Sequence, residues 1–423
     1  MSAAEPAARP APRGRLRILV AARLVDQAAL GLGSLLLARQ LGPDAFAPVA
    51  VLFVVNSLAI QVSDLGLGFA VLRTPADRTV ASSSLRRLRL VGVGVVGVGA
   101  VVAAGLAVAG AGTSAVVVGA GALVWATSAE VYVRKAAALT LDGARQVGGA
   151  EVGGAAVFAV AVVAAALAGV GVGAVAAALV AKHLIELGLV RTWRARFGPD
   201  GEPARSGPEW LGQVMTYLVA NADYVVLGVL LTPADLSRYV VAFRVASALP
   251  ALVANPITQT AFVDLAGADD DTRQDLHRAI VGRVARLGLL GALAVGVAAP
   301  VLPWVLGEGW AGVGALVAVL AVAVPFRLLL GMSVAQAITV GRARSVVAWE
   351  TGRLVVVASA TAVGAVAGGV LWATVGVSVA TIASVTVIYV ASARAARVEP
   401  WPVVVPGAVA AVVAAAGLGA VLA

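Results

Sequence analysis

Apolar stretches of about 20 residues or more, separated by short polar breaks, follow one another along almost the whole chain. A helix of that length crosses a membrane, and open strands are excluded there because every backbone hydrogen bond must be closed. The predicted spans are 18–38, 46–72, 90–109, 115–133, 152–168, 170–190, 210–231, 236–263, 287–306, 310–338, 354–368, 370–391 and 402–422. The alternating pattern of a β-barrel is absent. The sequence therefore predicts an all-α polytopic membrane protein with about 12–13 transmembrane helices.

Composition excludes the soluble enzyme classes. Hydrophobic residues make up 61% of the chain and charged residues 13%, whereas a soluble domain has roughly 25% charged residues. Cysteine is absent and histidine occurs twice, so we expect no catalytic centre, metal site or cofactor. A membrane glycosyltransferase would need acidic or His groups on a substantial outer loop, and the breaks on that side are only a few residues long.

The basic residues are distributed unevenly between the two sides of the membrane. Most of the 31 Lys and Arg residues fall in every second break, beginning with the tail 1–17 and including Arg353. Arg39 and Arg238 lie at the other side. Because cytoplasmic loops carry the excess of Lys and Arg, the N-terminus is predicted to be cytoplasmic. Topology thus accounts for the net charge of +9, and nucleic-acid binding is not needed.

The longest cytoplasmic break, 194–209, is rich in Gly, Pro and charge and separates six spans from the rest. We therefore predict an N-terminal lobe at 18–193, a linker at 194–209 and a C-terminal lobe at 210–393. A further helix is predicted at 400–423.

Two breaks indicate an internal repeat. Pro43 follows the first span and Pro233 follows the seventh, 190 residues later, within segments that share Leu, Val and Phe positions. Since six spans separate the copies, both run in the same direction, which predicts a parallel repeat about the membrane normal. Tight turns are predicted at Ala168-Gly169-Val170-Gly171 and at Gly368-Gly369.

Short motifs in both halves resemble those of a known family. They are Ala38-Arg39-Gln40-Leu41-Gly42-Pro43, Asp64-Leu65-Gly66-Leu67, Asn221-Ala222-Asp223-Tyr224-Val225-Val226-Leu227-Gly228 and Leu306-Gly307-Glu308-Gly309-Trp310. In these motifs the chain resembles the polysaccharide transporter (oligosaccharide flippase) proteins of the multidrug/oligosaccharidyl-lipid/polysaccharide exporter superfamily. It departs from them at Ala47 and Ser237, where the family usually has Gly.

The resemblance implies two six-helix lobes in a V that opens alternately to either side. It implies flipping of a polyprenyl-pyrophosphate-linked oligosaccharide across the bacterial cytoplasmic membrane, for cell-surface polysaccharide export. The expected partners are that glycan, membrane lipids, a polysaccharide polymerase and glycosyltransferases, with Na⁺ or H⁺ as the candidate coupling ion. Family members commonly have twelve or fourteen spans, so either the thirteenth is appended to a twelve-helix core or one of the two tightly turned pairs is not two separate spans.

Three arginines, Arg23, Arg244 and Arg327, lie inside predicted spans. An Arg at the membrane centre costs about 2.5–3.5 kcal/mol on insertion scales, so each is a functional candidate. The guanidinium fork binds phosphate through bidentate, charge-assisted hydrogen bonds. We therefore predict that these arginines hold an anionic headgroup, with Arg39 as a further substrate-binding candidate. For Arg23 the alternative is a neutralising pair with Asp26, three residues further on.

Four polar residues are candidate sites for a coupling ion: Asp26, Asp223, Asn221 and Asp64. For Asp223 and Asn221 the alternative is a structural hydrogen bond to a neighbouring helix. For Asp64, close to the inner interface, the alternative is a local helix-breaking role.

Lys182 and Glu186 lie four residues apart on one span and are predicted to form an exposed pair, with the lysine snorkelling to the interface. A drug/cation antiporter of the same superfamily remains the alternative function. It would bind cations, so acids without basic partners would be expected in its membrane region, whereas three arginines favour an anionic substrate.

Overall fold

The computed structural model describes residues 13–74, 78–141, 143–169, 171–203, 208–266 and 270–398. This part is almost entirely helical, which confirms the all-α class. The helices are α1 (Arg13–Val62), α2 (Leu67–Arg73), α3 (Ser82–Val108), α4 (Gly112–Thr140), α5 (Ala144–Leu167), α6 (Val172–Leu189), α7 (Pro208–Leu230), α8 (Pro233–Ala266), α9 (Asp270–Ala298), α10 (Leu302–Leu306), α11 (Val313–Ala321), α12 (Val324–Thr339) and α13 (Ala343–Ala395). The helix predicted at 400–423 lies outside the described residues.

Two of these helices consist of two arms. α1 bends at Gly42 (φ 69°, ψ 169°) and α13 bends at Gly368 and Gly369, the second of which has φ 69°. Such positive φ angles favour glycine because a Cβ would clash. The turn predicted at Gly368-Gly369 is thereby confirmed, and Gly169 (φ 65°) likewise turns the chain between α5 and α6.

We assign twelve membrane crossings to the helices of the described residues, eight of them by length and apolar composition. Seven helices are long and apolar enough, and the bent pair of α11 and α12 adds an eighth. The two arms of α1 and of α13 each make their own crossing. α7, with an apolar stretch at Val214–Leu230, and α8 supply the others. A multi-pass membrane protein with a twelve-helix core is the result.

The tenth span is broken rather than continuous, which corrects the single long helix expected at 310–338. α11 and α12 meet at an angle of 42° across a short break. Pro325 follows that break and lies under α9, where a Cβ on Gly288 would come within 2.6 Å of its Cα. Arg327 is therefore close to the start of α12 and not in the middle of a straight helix.

The crossings form two lobes with the same packing scheme. α1 packs on α4 and α5 in the first lobe, while α7 packs on α13 and α8 on α12 in the second. The bend of α1 at Gly42 and the α7–α8 connection that precedes Pro233 are separated by six crossings, so they lie at the same end of the bundle. We name this the Pro43 end and the other the arginine-rich end. The lobes contact each other chiefly through α1 and α8.

Two predicted boundaries shift. Helix α1 begins at Arg13, inside the segment 1–17 predicted as a tail, and residues 1–12 lie outside the described residues. The beginning of the predicted linker 194–209 belongs structurally to the N-terminal lobe. It contains the end of a 3-10 helix (Thr192–Arg196) and strand β2 (Phe197–Gly198), which pairs in parallel with β1 (Val80–Ala81).

Arg196 holds this docked segment in place. Its side chain is only 1% exposed, and it donates hydrogen bonds to the carbonyl oxygens of Arg78 (2.6 Å), Thr74 (2.6 Å) and Val71 (3.3 Å). The carboxylate of Glu202 also pairs with Arg78 at 2.7 Å. Charge therefore explains why a polar segment packs against the lobe instead of forming a free connection.

Candidate functional site

The largest hydrophobic core lies where the two lobes meet. It combines Phe46 and Phe53 of α1 with Tyr239 of α8, Trp310 and Leu316. Each of these side chains is 2% exposed or less. The charged residues near the lobe boundary are therefore set against a packed apolar surface.

Arg244 is one of the predicted substrate-binding residues, and it reaches across the lobe boundary. Its guanidinium carbon lies 4.0 Å from the centroid of the Phe53 ring on α1, a cation–π contact between lobes. Such a contact contributes about 0.5–2 kcal/mol, depending on how dry the site is. Within the described residues Arg244 makes no ion pair, so its charge is not neutralised by a carboxylate.

Arg327 lies in the same C-terminal lobe, against α8. Its guanidinium stacks over the ring of Phe243 at 4.2 Å and donates a 2.6 Å hydrogen bond to the hydroxyl of Ser247. It too forms no ion pair within the described residues, although the carboxylate of Asp223 is close enough to interact electrostatically. The two arginines thus share one aromatic region of the C-terminal lobe.

Asp223 is buried in that aromatic region. Its carboxylate accepts hydrogen bonds from the Tyr239 hydroxyl and, at 2.9 Å, from the backbone N–H of Tyr224. The rings of Tyr224, Tyr239 and Phe243 pack on one another with centroids 5.1–5.9 Å apart. The bond between Asp223 on α7 and Tyr239 on α8 matches the structural alternative stated above, and the ion-coupling role of Asp223 stays a prediction.

Arg23 does not join this group. Its nearest carboxylates are those of Asp26 at 3.9 Å and Glu151 at 3.8 Å, both in the N-terminal lobe. Its side chain is 43% exposed, and it interacts electrostatically with Tyr217 of α7. Arg23 therefore belongs to the N-terminal lobe but faces the C-terminal one.

Six charged side chains of alternating sign form a closed ring in the N-terminal lobe. Around this charge ring, Asp26 pairs with Lys182 at 3.0 Å, Lys182 with Glu186, Glu186 with Lys135 at 2.9 Å, Lys135 with Glu151 at 3.3 Å, and Arg23 with Glu151 and Asp26. The predicted exposed pair of Lys182 and Glu186 is therefore wrong, since these residues are 3% and 1% exposed. The four-residue spacing is right, but the shared face points into the lobe.

The remaining predicted residues lie apart. Asn221 donates to the carbonyl oxygen of Tyr217 at 2.8 Å on its own helix. Asp64 accepts the backbone N–H groups of Gly66 (3.1 Å) and Gly68 (2.8 Å) in the turn before α2. Burial raises the pKa of the Asp64 carboxyl, and those two hydrogen bonds oppose the rise. This geometry is the helix-breaking alternative stated for Asp64.

Arg39 lies at the Pro43 end, where it donates a 2.7 Å hydrogen bond to the carbonyl oxygen of Val305. Next to it, the buried indole N–H of Trp310 donates to the carbonyl oxygen of Ala38 at 3.1 Å. The Trp310 ring packs edge-on against Phe46 with centroids 5.9 Å apart. Because α1 and the α10–α11 segment belong to different lobes, these contacts form a latch between them.

Sequence reasoning missed two features of this region. One is Trp310, whose position after the Gly307-Glu308-Gly309 turn was the available signal. The other is Arg353, predicted to be a loop arginine, which is 8% exposed and paired with Glu350 at 2.9 Å. The described residues contain no group of His, Cys, Asp and Glu that could hold a metal ion.

Comparison with known proteins fits this architecture. The sequence profile of a family described as polysaccharide biosynthesis protein matches residues 36–314, which is more than half of the chain. The chain belongs to this polysaccharide biosynthesis family. No curated protein matches its sequence.

Several solved structures that share the fold of this polysaccharide biosynthesis family member are transporters by their titles. An inward-facing multidrug resistance MATE family transporter of the MOP superfamily has a TM-score of 0.72 at 14% identity, with 88% of this chain and 94% of that chain covered. A MATE structure in complex with MaL6 has a TM-score of 0.65 at 15% identity, covering 92% and 97%. An outward-facing MATE family transporter has a TM-score of 0.58 at 13% identity, covering 92% and 97%. At these identities the likeness shows the fold.

Proposed function

We propose that this protein flips a polyprenyl-pyrophosphate-linked oligosaccharide across the bacterial cytoplasmic membrane by alternating access. Two membrane-embedded arginines without a carboxylate partner in the described residues, Arg244 and Arg327, carry the proposal. Both side chains are half-buried, and a cation without a carboxylate partner is unfavourable at an apolar lobe boundary. An anionic ligand that reaches it therefore gains strong charge-assisted hydrogen bonds. Membership of a polysaccharide biosynthesis family supports a glycan as the rest of that ligand.

The geometry also supports an order of events. The described hydrogen bonds and ring contacts between the two lobes, from the latch at Trp310 to the pair of Arg244 and Phe53, lie between the Pro43 end and the middle of the bundle. The positive-inside rule assigns the Pro43 end to the outer side and the N-terminus to the cytoplasm. In this state a headgroup would enter from the cytoplasm, with the polyprenyl chain left in lipid. Opening of the latch would then release it outside.

A drug/cation antiporter is the second candidate, because the matched solved structures are multidrug transporters by their titles. Asp223 favours it as a buried carboxylate near the lobe boundary. Its hydrogen bond from Tyr239 and the proximity of Arg327 weigh against a cationic ligand there. The anionic substrate therefore fits the surroundings of Asp223 better.

The test measures how fast the protein flips a fluorescent polyprenyl-pyrophosphate glycan in proteoliposomes. The readout is the accessibility of the glycan headgroup to a reagent that does not cross the membrane. Arg244→Gln and Arg327→Gln should each slow flipping by about 10–100-fold, the equivalent of one charge-assisted bond of about 1.5–3 kcal/mol. Arg244→Lys should fall between wild type and Gln, because charge is kept and the fork is lost.

The matched control is Arg278→Gln, since Arg278 is exposed and pairs with Asp275 on its own helix, α9. It should flip at the wild-type rate. Wild-type flipping by both Gln variants, together with proton-driven export of a cationic dye, would reject the flippase in favour of the antiporter.

A further inference from the structure

Three arginine side chains meet on the ring of Trp193 at the arginine-rich end of the N-terminal lobe. The guanidinium carbons of Arg134, Arg194 and Arg89 lie 4.6, 5.7 and 5.8 Å from the centroid of that ring. They come from α4, from the 3-10 helix and from α3, so one ring joins three elements. Because an aromatic face attracts cations, the ring brings together guanidinium groups that would otherwise repel one another. We name these four residues the arginine–tryptophan cluster.

One carboxylate offsets part of the positive charge of this cluster. Glu130 accepts hydrogen bonds from Arg89 at 2.5 Å and from Arg134 at 2.6 Å, and both bonds reach the same carboxylate oxygen. Arg134 also donates to the carbonyl oxygen of Leu187 at 2.7 Å. Arg194 is exposed and makes no ion pair in the part of the chain that the structure describes. Three guanidinium groups against one carboxylate leave a surplus of two positive charges.

The length of α3 places the cluster at the level of the lipid headgroups. Arg89 is the last charged residue of this helix (Ser82–Val108), and its side chain is 48% exposed. The uncharged residues 90–108 that follow rise about 28 Å at about 1.5 Å each, close to the thickness of about 30 Å of a hydrocarbon core. Arg89 therefore lies where the hydrocarbon ends and the lipid phosphates of the adjoining leaflet begin.

The helix face that continues from Arg89 into the membrane is apolar and uncovered by the described residues. Val93, one turn further along α3, is 69% exposed. At Gly97, one more turn along, an added Cβ would meet nothing within 4 Å. Since residues four apart are neighbours on a helix surface, this face runs from the cluster into the hydrocarbon. An acyl chain can lie along it below a headgroup held at the cluster.

We propose that the arginine–tryptophan cluster binds the headgroup of an anionic phospholipid whose acyl chains lie along α3. The phosphodiester oxygens would accept charge-assisted hydrogen bonds from Arg194 and from the exposed guanidinium of Arg89. A lipid with two phosphates balances the surplus of two positive charges and should therefore bind more tightly than a lipid with one. The site lies outside the lobe boundary and does not depend on what the protein transports.

A lipid bound there would also fasten the docked segment to the N-terminal lobe. Trp193 and Phe197 pack edge-on with ring centroids 5.9 Å apart, and Phe197 begins strand β2. A headgroup that bridges Arg89 on α3 and Arg194 on the 3-10 helix adds a contact between that segment and the lobe. Because a ligand stabilises the state that binds it, lipid should protect the docked segment from opening.

The first test is native mass spectrometry of the detergent-solubilised protein, titrated with one lipid at a time. Cardiolipin, which has two phosphates, should bind about tenfold more tightly than phosphatidylglycerol, and phosphatidylcholine should bind most weakly. Equal affinities for the three lipids would overturn recognition of the headgroup. If inorganic phosphate binds as tightly as cardiolipin, the acyl chains contribute nothing and the assignment to a lipid is overturned.

Arg194→Gln should weaken cardiolipin binding about tenfold, because one charge-assisted contact is lost. Arg194→Lys keeps the charge but loses the planar fork and its place over the Trp193 ring, so its affinity should lie between those of wild type and Gln. The matched control is Arg87→Gln, which removes one charge from an exposed position on the same helix as Arg89 and should leave the affinity unchanged. If Arg87→Gln weakens binding as much as Arg194→Gln, total charge attracts the lipid and the site is overturned.

The second test is hydrogen exchange of residues 192–198 in phosphatidylcholine nanodiscs with and without cardiolipin. Cardiolipin should slow the exchange in wild type and in Arg87→Gln but not in Arg194→Gln. Equal slowing in all three proteins would attribute the protection to the charge of the membrane and overturn the site. Stronger protection by a soluble oligoglutamate peptide than by cardiolipin would replace the lipid with an acidic protein segment.

Discussion

Trp310→Phe should loosen the latch between the lobes without removing its aromatic contact. Phenylalanine keeps a ring against Phe46 but lacks the indole N–H, so the hydrogen bond to the carbonyl oxygen of Ala38 is lost. That bond contributes about 1 kcal/mol net, and its loss should shift the equilibrium from the latched to the unlatched state about fivefold.

Trp310→Ala should shift the equilibrium between the latched and unlatched states much further. It removes the edge-on pair, worth about 0.5–1.5 kcal/mol, and the burial of a side chain whose truncation costs about 3–5 kcal/mol. Because the partners of Trp310 lie in the other lobe, most of this loss falls on the latched state. The unlatched state should then dominate.

Spin labels offer the assay, since the native chain has no cysteine. Asp44→Cys and Glu308→Cys place labels at exposed positions in different lobes at the Pro43 end. Pulsed electron resonance should show a longer distance gaining population in Trp310→Phe. Trp304→Phe, in the neighbouring α10 but 83% exposed, should leave the distribution unchanged. An unchanged distribution in Trp310→Phe and Trp310→Ala would refute the latch.

Three further outcomes are expected. Arg196→Ala should lower the free energy of unfolding of the docked segment by about 2–4 kcal/mol, since three carbonyl bonds are lost, and hydrogen exchange there should accelerate. Gly364→Ala should lower the unfolding midpoint by several degrees, because the added Cβ would lie 2.3 Å from the carbonyl oxygen of Trp372 and an overpacked contact costs about 1–3 kcal/mol. An unchanged midpoint would contradict that packing. Cysteines introduced at Ser114 and Asp200 should label from opposite sides of the membrane, whereas labelling from one side would reject the topology.

The order of helices and turns could be predicted from the sequence, because the length of each apolar stretch predicts a membrane helix and glycine predicts a turn. Gly42 and the Gly368-Gly369 pair lie at predicted turns, and Gly42 and Gly369 adopt positive φ angles that favour glycine. The break between α11 and α12 was not predictable in the same way. It occurs inside one apolar stretch, where hydropathy has no signal, next to the close approach of Gly288 and Pro325.

The charged site was predictable in part. Arg23, Arg244 and Arg327 were predicted from their positions inside apolar spans, but a position along a helix does not determine which neighbouring side chain each arginine contacts. Lys182 was predicted at the surface because a pair four residues apart looks the same whether its face points to lipid or into a lobe. Its burial requires Asp26 from another helix, and only tertiary packing brings the two together.

The docked segment that Arg196 fixes has a mechanical consequence. A free connection from Leu189 to Pro208 would span about 65 Å when extended, which is longer than the membrane is thick. With β2 and Glu202 held against the first lobe, only the stretch from Pro203 to Pro208 joins the two bodies, and covalent geometry limits it to about 18 Å. The stretch from Pro203 to Pro208 is therefore a short tether between the lobes. It limits how far the two lobes can separate at the arginine-rich end, and therefore the size of any ligand that can enter between them there.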